Sequence, residues 1–261
     1  MLSQQPPRKR FGQNFLKDNL VINKIIEAIP LNRDDVVIEI GPGLGAITKF
    51  LVKKPINLHA LEIDRDIVAL LKKQFTADQL TLYCQDALKF NFSNILGLKK
   101  IVGNLPYNIS TPLLFHLIQF SNQIESMYFM LQKEVASRLV AKPSTSNYGR
   151  LSIFMQYDFL IEPLFDIPPS AFWPEPKIDS TFVRMVPISG QYGVVKDKVI
   201  FKKIVTTAFS QRRKKLHNSL KTLIDIKQLK KNDINPASRA EDISISKFVQ
   251  LTNDYIDNQS F

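Results

Sequence analysis

The chain has 261 residues, 44% of them hydrophobic, and its 35 Lys and Arg against 24 Asp and Glu leave a formal charge of +11. No apolar run nears the roughly 20 residues that span a bilayer, so a membrane protein is not expected, and the basic N-terminus lacks the apolar stretch that continues a signal peptide. The one cysteine, Cys84, excludes an intramolecular disulfide and a thiolate metal cage, which leaves a reduced, cytoplasmic setting as the expectation.

Taken in chain order, Asp18 is a candidate N-cap for a helix whose apolar Ile22, Ile25, Ile26 and Ile29 recur at helical spacing, ended by Pro30. The β-branched run 36–40 meets glycines at once, and 46–54 reads as a helix, giving a first βα unit. Strands at 56–63, 80–84 and 100–103 follow, with a helix at 65–75, and then a helix at 111–120, a strand at 126–131 and a helix at 133–141. This alternation predicts an open parallel sheet with crossover helices, and such sheets bind ligands at the carboxyl ends of their strands. Segments 151–159 and 181–186 read as later strands, separated by the proline-dense DIPPSAFWPEPKIDS of 166–180, which its prolines make a loop. Beyond about residue 190 the spacing turns helical, as in Ile200, Ile204, Val205 and Ala208 and again in Leu216, Leu220, Leu223 and Ile224. The expected architecture is a Rossmann-like α/β domain over 1–187, with a basic N-terminal arm, and a small all-helical domain over 188–261.

Charge is unevenly spread. From residue 196 to residue 231 there are twelve Lys or Arg and two Asp, a net of +10, whereas 232–261 holds two basic and five acidic residues. Charge runs usually mark solvated helix faces. The cluster Arg212, Arg213, Lys214 and Lys215, with Arg8, Lys9 and Arg10 in the arm, points further, to a surface that tracks the phosphates of a nucleic acid.

The stretch VIEIGPGLGAIT sets Gly41, Gly43 and Gly45 between a strand and a helix, where glycine lets the backbone turn sharply and approach a ligand. The G-x-G-x-G spacing lacks the longer final gap of a dinucleotide fingerprint, which favours a mononucleoside ligand. Glu62 follows Gly41 by 21 residues, close to the interval expected of a carboxylate on ribose hydroxyls, and Asp86 after the third strand suits an adenine amino group. Singly these are a turn, a surface residue and an N-cap. Together they describe an adenosine pocket on three adjacent strand ends, of the S-adenosylmethionine type rather than the nicotinamide type.

The fourth strand delivers Asn104, Leu105, Pro106 and Tyr107 to the same edge. An exocyclic base amine is a poor nucleophile because its lone pair is delocalised into the ring. The Asn104 side-chain oxygen and the Leu105 carbonyl can both accept its hydrogens, which offsets that delocalisation and aims the lone pair. Pro106 fixes the backbone that presents the carbonyl, and Tyr107 offers a stacking face to a base drawn from its stack. Alone, the tetrapeptide is equally a proline turn after a buried strand; behind an adenosine pocket it favours base-amine methylation. Phe172 is the candidate for the second face of the base, with Trp173 beside it read as packing. The histidines His59, His116 and His217 are scattered, so no metal is expected, and no G-x-S-x-G elbow supports a hydrolase.

These residues sit in motifs that run along nearly the whole chain: RKRFGQNFLKD (8–18), EIGPGLGAIT (39–48), LEIDRD (61–66), GNLPYNIS (103–110), QKEVASRLVA (132–141), YGRLS (148–152), FWPEPKIDS (172–180) and QRRKKLHNSL (211–220). In them the chain resembles the ribosomal RNA adenine dimethyltransferases, and among these the bacterial branch that dimethylates two adjacent adenosines near the 3′ end of small-subunit (16S) rRNA. The resemblance implies S-adenosylmethionine as methyl donor, cofactor contacts from Asn14, Leu16, Gly41, Glu62, Asp86 and Asn104, and a target adenine held between Tyr107 and Phe172. It further implies docking of the basic helices on a partly assembled small subunit. Two alternatives stay open here. One is a large-subunit rRNA adenine methyltransferase of the macrolide-resistance type, against which QRRKKLHNSL and FWPEPKIDS speak; the other is a non-catalytic ribosome assembly factor on the same fold.

Overall fold

The computed structural model describes residue 8, residues 12–211 and residues 213–259. The chain divides into two compact units, one of Met1–Ala136 with Leu160–Pro187, the other of Ser137–Phe159 with Ile188–Phe261.

In the first unit a short strand, β1 (Phe15–Leu16), precedes α1 (Asn19–Glu27). Asp18 caps that helix, its carboxylate accepting the amides of Leu20 and Val21 at 2.8 and 3.2 Å, and the buried stripe of Ile22 and Ile25 faces the core. The expected alternation follows: β2 (Val36–Ile40), α2 (Thr48–Leu51), β3 (Asn57–Glu62), α3 (Arg65–Gln74), β4 (Thr81–Cys84), β5 (Lys99–Asn104), α4 (Ser110–Leu117) and β6 (Ile124–Gln132). Later come β7 (Phe159–Ile167), β8 (Phe172–Trp173) and β9 (Ser180–Pro187). Seven strands form one sheet in the order β4-β3-β2-β5-β6-β9-β7, parallel from β4 to β6, with β9 antiparallel to β6.

Strand order reverses between β2 and β5, which is where such a sheet opens a crevice at its carboxyl edge. There Ile40 pairs with Gly103, and the approach is so close that a Cβ on Gly103 would lie 2.5 Å from the Ile40 carbonyl oxygen. Glycine is required at that point because any side chain would wedge the two central strands apart.

Three expectations change. Segment 151–159 is not a strand but α6 (Arg150–Asp158), since an apolar run this short gives the same signal for a buried helix and a buried strand. The strand that follows it, β7, escapes sequence reading because Pro163 interrupts it, which is tolerated at the edge of the sheet. The proline-dense 166–180 is not loop throughout: a 3₁₀ turn at Pro169–Ala171 leads into β8, which pairs antiparallel with β1, Phe15 opposite Trp173 and Leu16 opposite Phe172.

The expected 1–187 domain is also interrupted. Residues 137–159 group with the second unit, because Tyr148 and Ile153 are buried in its core. The helix α5 (Lys133–Leu139) leads the chain there, and α7 (Lys198–Ala208), α8 (Leu216–Leu220), α9 (Ile226–Lys231) and α10 (Ile245–Gln259) complete the unit. Asp197 and Asp225 cap α7 and α9 with their carboxylates, and Phe201, Ile204, Leu216, Leu220 and Phe248 fill the interior. Among the described residues no helix is long and apolar enough to cross a membrane.

Candidate functional site

A cavity of about 260 Å³ opens at the carboxyl ends of β2 to β5, more than ten times the space that a single water needs. The chain delivers one expected group from each strand end: Gly41 after β2, Glu62 at the end of β3, Asp86 after β4, and Asn104 to Tyr107 from β5. Asn14 and Leu16 also line it, because residues 12–16 run along its wall. Gly43 must be glycine for that: its φ is +55°, and a Cβ there would lie 3.0 Å from the Phe15 ring.

The electrostatics are one-sided. Three carboxylates line the cavity, those of Glu39, Glu62 and Asp86, and none of the described lining residues is Lys, Arg or His. Glu62 is buried, which raises its pKa above the ordinary carboxylate value, while the amides of Asp64, Gly43 and Ile63 hold the ionised form and pull the other way; the Asp64 N–H lies 2.9 Å from Oε1. Beneath the glycine loop, the Thr48 hydroxyl donates to Glu39 Oε2 at 2.7 Å. Burial, opposed by that bond and reinforced by the charge of Glu62, pushes the Glu39 carboxyl up to about 7. Asp86 Oδ1 accepts the Leu88 N–H at 2.9 Å, so it closes a turn and faces the cavity at once. Such a lining favours a cation and disfavours a phosphate.

At the end of β5, Asn104 donates from Nδ2 to the Asn14 carbonyl at 2.7 Å. A carbonyl can only accept, so the amide must present its NH₂ there, leaving Oδ1 as the acceptor for a ligand. Leu105 is buried, and the Pro106 carbonyl takes the amides of Ile109 and Ser110 at 3.1 Å, turning the chain directly into α4. Tyr107 is half-buried, which raises its phenol pKa, and its hydroxyl shares a hydrogen bond of 2.9 Å with Ser180 Oγ, so the far end of the ring is tied to the start of β9.

Phe172, expected on the second face of the base, lies in the wall behind Leu16. It is 1% exposed, packed in the core of the first unit, and it does not line the cavity. Side chains alternate along β8: Phe172 turns inward, and Trp173, read from sequence as packing, is the ring left 39% exposed, stacked on Phe15 with centroids 6.4 Å apart. Arg8, expected on a phosphate-tracking arm, pairs with Asp64 at 3.0 Å and with Asp66. Lys9, Arg10 and Arg212 lie outside the described residues. Arg213, Lys214 and Lys215 are exposed in the second unit, whereas Lys196, Lys198 and Lys231 are engaged by Asp257, Asp158 and Asp254, so only part of the +10 is open to a partner.

Sequence reading missed Glu39 with Thr48, Asp64 and Ser180. Asp64 carries a usable signal, since an Asp opening the Asp64-Arg65-Asp66 run is a helix N-cap and does cap α3. Ser180 carries none, because its value lies in a partner far along the chain.

Comparison with known proteins adds three findings. A family model described as "Ribosomal RNA adenine dimethylase" matches residues 5–257. The chain is 52% identical over 253 residues to a protein of Chromobacterium violaceum named "Ribosomal RNA small subunit methyltransferase A", covering 97% of each, and 49% identical over 250 residues to one of that name from Nitrosospira multiformis, covering 96% of each. Among solved structures, a dimethyladenosine transferase from Plasmodium falciparum superposes with a TM-score of 0.77 at 26% identity, covering 91% of this chain and 95% of that one. The 23S rRNA methyltransferase ErmE gives a TM-score of 0.68 at 21% identity, covering 93% and 100%, a likeness of fold.

Proposed function

We propose, because the chain belongs to the ribosomal RNA adenine dimethylase family, that it transfers methyl groups from S-adenosylmethionine to N6 of adenosine in ribosomal RNA. Its substrate on this reading is a pair of adjacent adenosines near the 3′ end of small-subunit rRNA, met in a partly assembled subunit in the cytoplasm. The observation that carries the reaction is the Asn104 amide, fixed through Nδ2 beside a cavity that holds three carboxylates and no basic side chain among its described lining residues.

That lining fits the cofactor. A sulfonium cation gains from Glu62 and Asp86, and from Glu39 to the extent that it ionises, whereas a pyrophosphate would be repelled by them. Glu62 would hold the ribose hydroxyls and Asp86 the adenine amino group. When bound, S-adenosylmethionine supplies an electrophilic methyl group. Asn104 Oδ1 and the Leu105 carbonyl accept the N–H bonds of the target amine and draw its nitrogen out of conjugation. Tyr107, steadied by Ser180, takes one face of the base. No strong base is required at Asn104, since a nitrogen that has gained a methyl group is cationic and sheds its proton readily. Exposed Arg213, Lys214 and Lys215 supply the phosphate contacts.

The small-subunit reading is supported over the large-subunit one by relatives at 49 and 52% identity that carry the small-subunit name. The test is transfer of labelled methyl groups to undermethylated small subunits, with large subunits as the parallel arm. Label is expected in dimethyladenosine of the small subunit; label only in the large subunit selects the rival, and label in neither overturns the reaction. Asn104→Ala should cut turnover by about 10²–10³-fold while leaving the chain folded, at a cost of about 1–2 kcal/mol for the bond to Asn14 that it gives up.

A further inference from the structure

The N-terminal segment is held at two places, and Asn14 lies between them. On one side, the Arg8 guanidinium meets the Asp64 carboxylate at 3.0 Å and also pairs with Asp66. Gln13 folds into the same contact: its Oε1 accepts the Arg8 backbone N–H at 2.9 Å, and its Nε2 donates to the second Asp64 oxygen at 3.4 Å. Asp64 is itself 2% exposed and caps α3, so residues 8 and 13 are tied to a carboxylate that cannot swing. On the other side, Phe15 and Leu16 are paired with Trp173 and Phe172. The carbonyl between these anchors, that of Asn14, is the one that accepts from Asn104.

A side-chain amide can present either end to its neighbour, and only its oxygen can accept from an amine. The choice at Asn104 is therefore set by a backbone carbonyl whose position depends on both anchors. The backbone N–H of Asp64 also donates to Glu62, so the same corner of the chain orders the residue assigned to the ribose and the residue assigned to the target amine.

We propose that Arg8 is a positioning residue for methyl transfer: through Asp64 and Gln13 it holds the Asn14 carbonyl against Asn104 and keeps Oδ1 turned to the target amine. The proposal rests on the methyl-transfer reading. It assigns to the reaction a residue of the basic arm that would otherwise count as a phosphate contact, and the two roles differ in what they move. A positioning residue acts on the rate of the chemical step at saturating substrates, whereas a phosphate contact acts on RNA affinity and lowers the salt slope of that affinity by about 0.7–0.9.

The experiment measures kcat, the RNA KM and its salt dependence for the parent, Arg8→Ala, Arg8→Lys, Gln13→Ala and the double variant Arg8→Ala/Gln13→Ala. Arg8→Ala is expected to lower kcat about tenfold, within the range of a sub-ångström misplacement, with the RNA KM and its salt slope unchanged. Arg8→Lys should recover part of the loss, since an ammonium keeps the charge without the two-pronged grip, and the double variant should be no worse than Arg8→Ala. An unchanged kcat with a weaker RNA KM and a shallower salt slope overturns the proposal in favour of a phosphate contact. Should Arg8→Ala not fold, Gln13→Ala, which leaves the ion pair in place, decides alone: an unchanged kcat there also overturns it. Transfer by the parent protein is the control that separates the two levels, since its absence overturns the reaction and the role together, and its presence with an unaltered Arg8→Ala overturns the role only.

Discussion

Gly103→Ala tests the central strand pair and the site together. The added methyl carbon would lie 2.5 Å from the Ile40 carbonyl oxygen, against roughly 3.3–3.6 Å for a tolerated carbon–oxygen contact, so β2 and β5 must part by nearly 1 Å at that register. Overpacking of this kind costs about 1–3 kcal/mol, and stretching one ladder hydrogen bond adds roughly 1 kcal/mol. A loss of about 2–4 kcal/mol should lower the melting temperature by roughly 4–16 °C for a chain of this size. The displacement falls between Gly41 and Asn104, the neighbours of the paired residues, so the fraction that folds should turn over about 100-fold more slowly. Calorimetry and the labelled-transfer assay at a temperature below the variant's melt measure both. A variant that melts with the parent and methylates at its rate would refute the close pairing on which the positions of the cofactor loop and the Asn104 turn depend.

Two further outcomes follow from the buried polar pairs. Ser180→Ala removes the partner of the Tyr107 hydroxyl and should cost about 1–2 kcal/mol and several-fold in turnover. Tyr107→Phe should match it, and a double variant that loses the product of the two single effects would show the pair to be uncoupled. Glu39 supplies a pH dependence. Its carboxyl is raised in the folded chain from 4.5 to about 7, so the unfolded chain ionises first and the folded form loses stability as pH climbs through that window, by on the order of 3 kcal/mol at most. Glu39→Gln, which can still bond to Thr48, should flatten the melting-temperature decline between pH 5 and pH 8; equal slopes for parent and variant would count against the buried carboxyl as its cause.

What the sequence made legible was periodic or punctuated. Val36–Ile40 followed by three glycines, Glu62 and Asp86 at strand ends, and the Asn104 to Tyr107 exit all announce themselves in local spacing, and Gly41, Gly43, Glu62, Asp86 and Asn104 to Tyr107 line one cavity. The misreadings have local causes. The run 151–159 is too short to carry a period, and Pro163 disguises an edge strand. The facing of Phe172 and Trp173 turns on a two-residue strand set by its partner, Phe15–Leu16, and no property of the FW pair alone says which ring goes inward. The ion pair of Arg8 is hidden for a similar reason: a basic residue in a basic run looks like surface until the carboxylate it meets, 56 positions on, is seen to be buried.

The two residues assigned by our proposal to the target base take their partners from opposite ends of the chain, Asn104 from 90 positions earlier and Tyr107 from 73 positions later. Synthesis proceeds at about 5–20 residues per second, so the tetrapeptide leaves the ribosome several seconds before Ser180 and before the strand that anchors residues 15 and 16. A nascent chain halted short of residue 172 would own the whole motif from Asn104 to Tyr107 and six of the seven strands of the sheet, yet lack the clamp and the tether that hold it. On the proposed reading, competence is thus deferred to a late moment of translation, when β8 and Ser180 join the first unit.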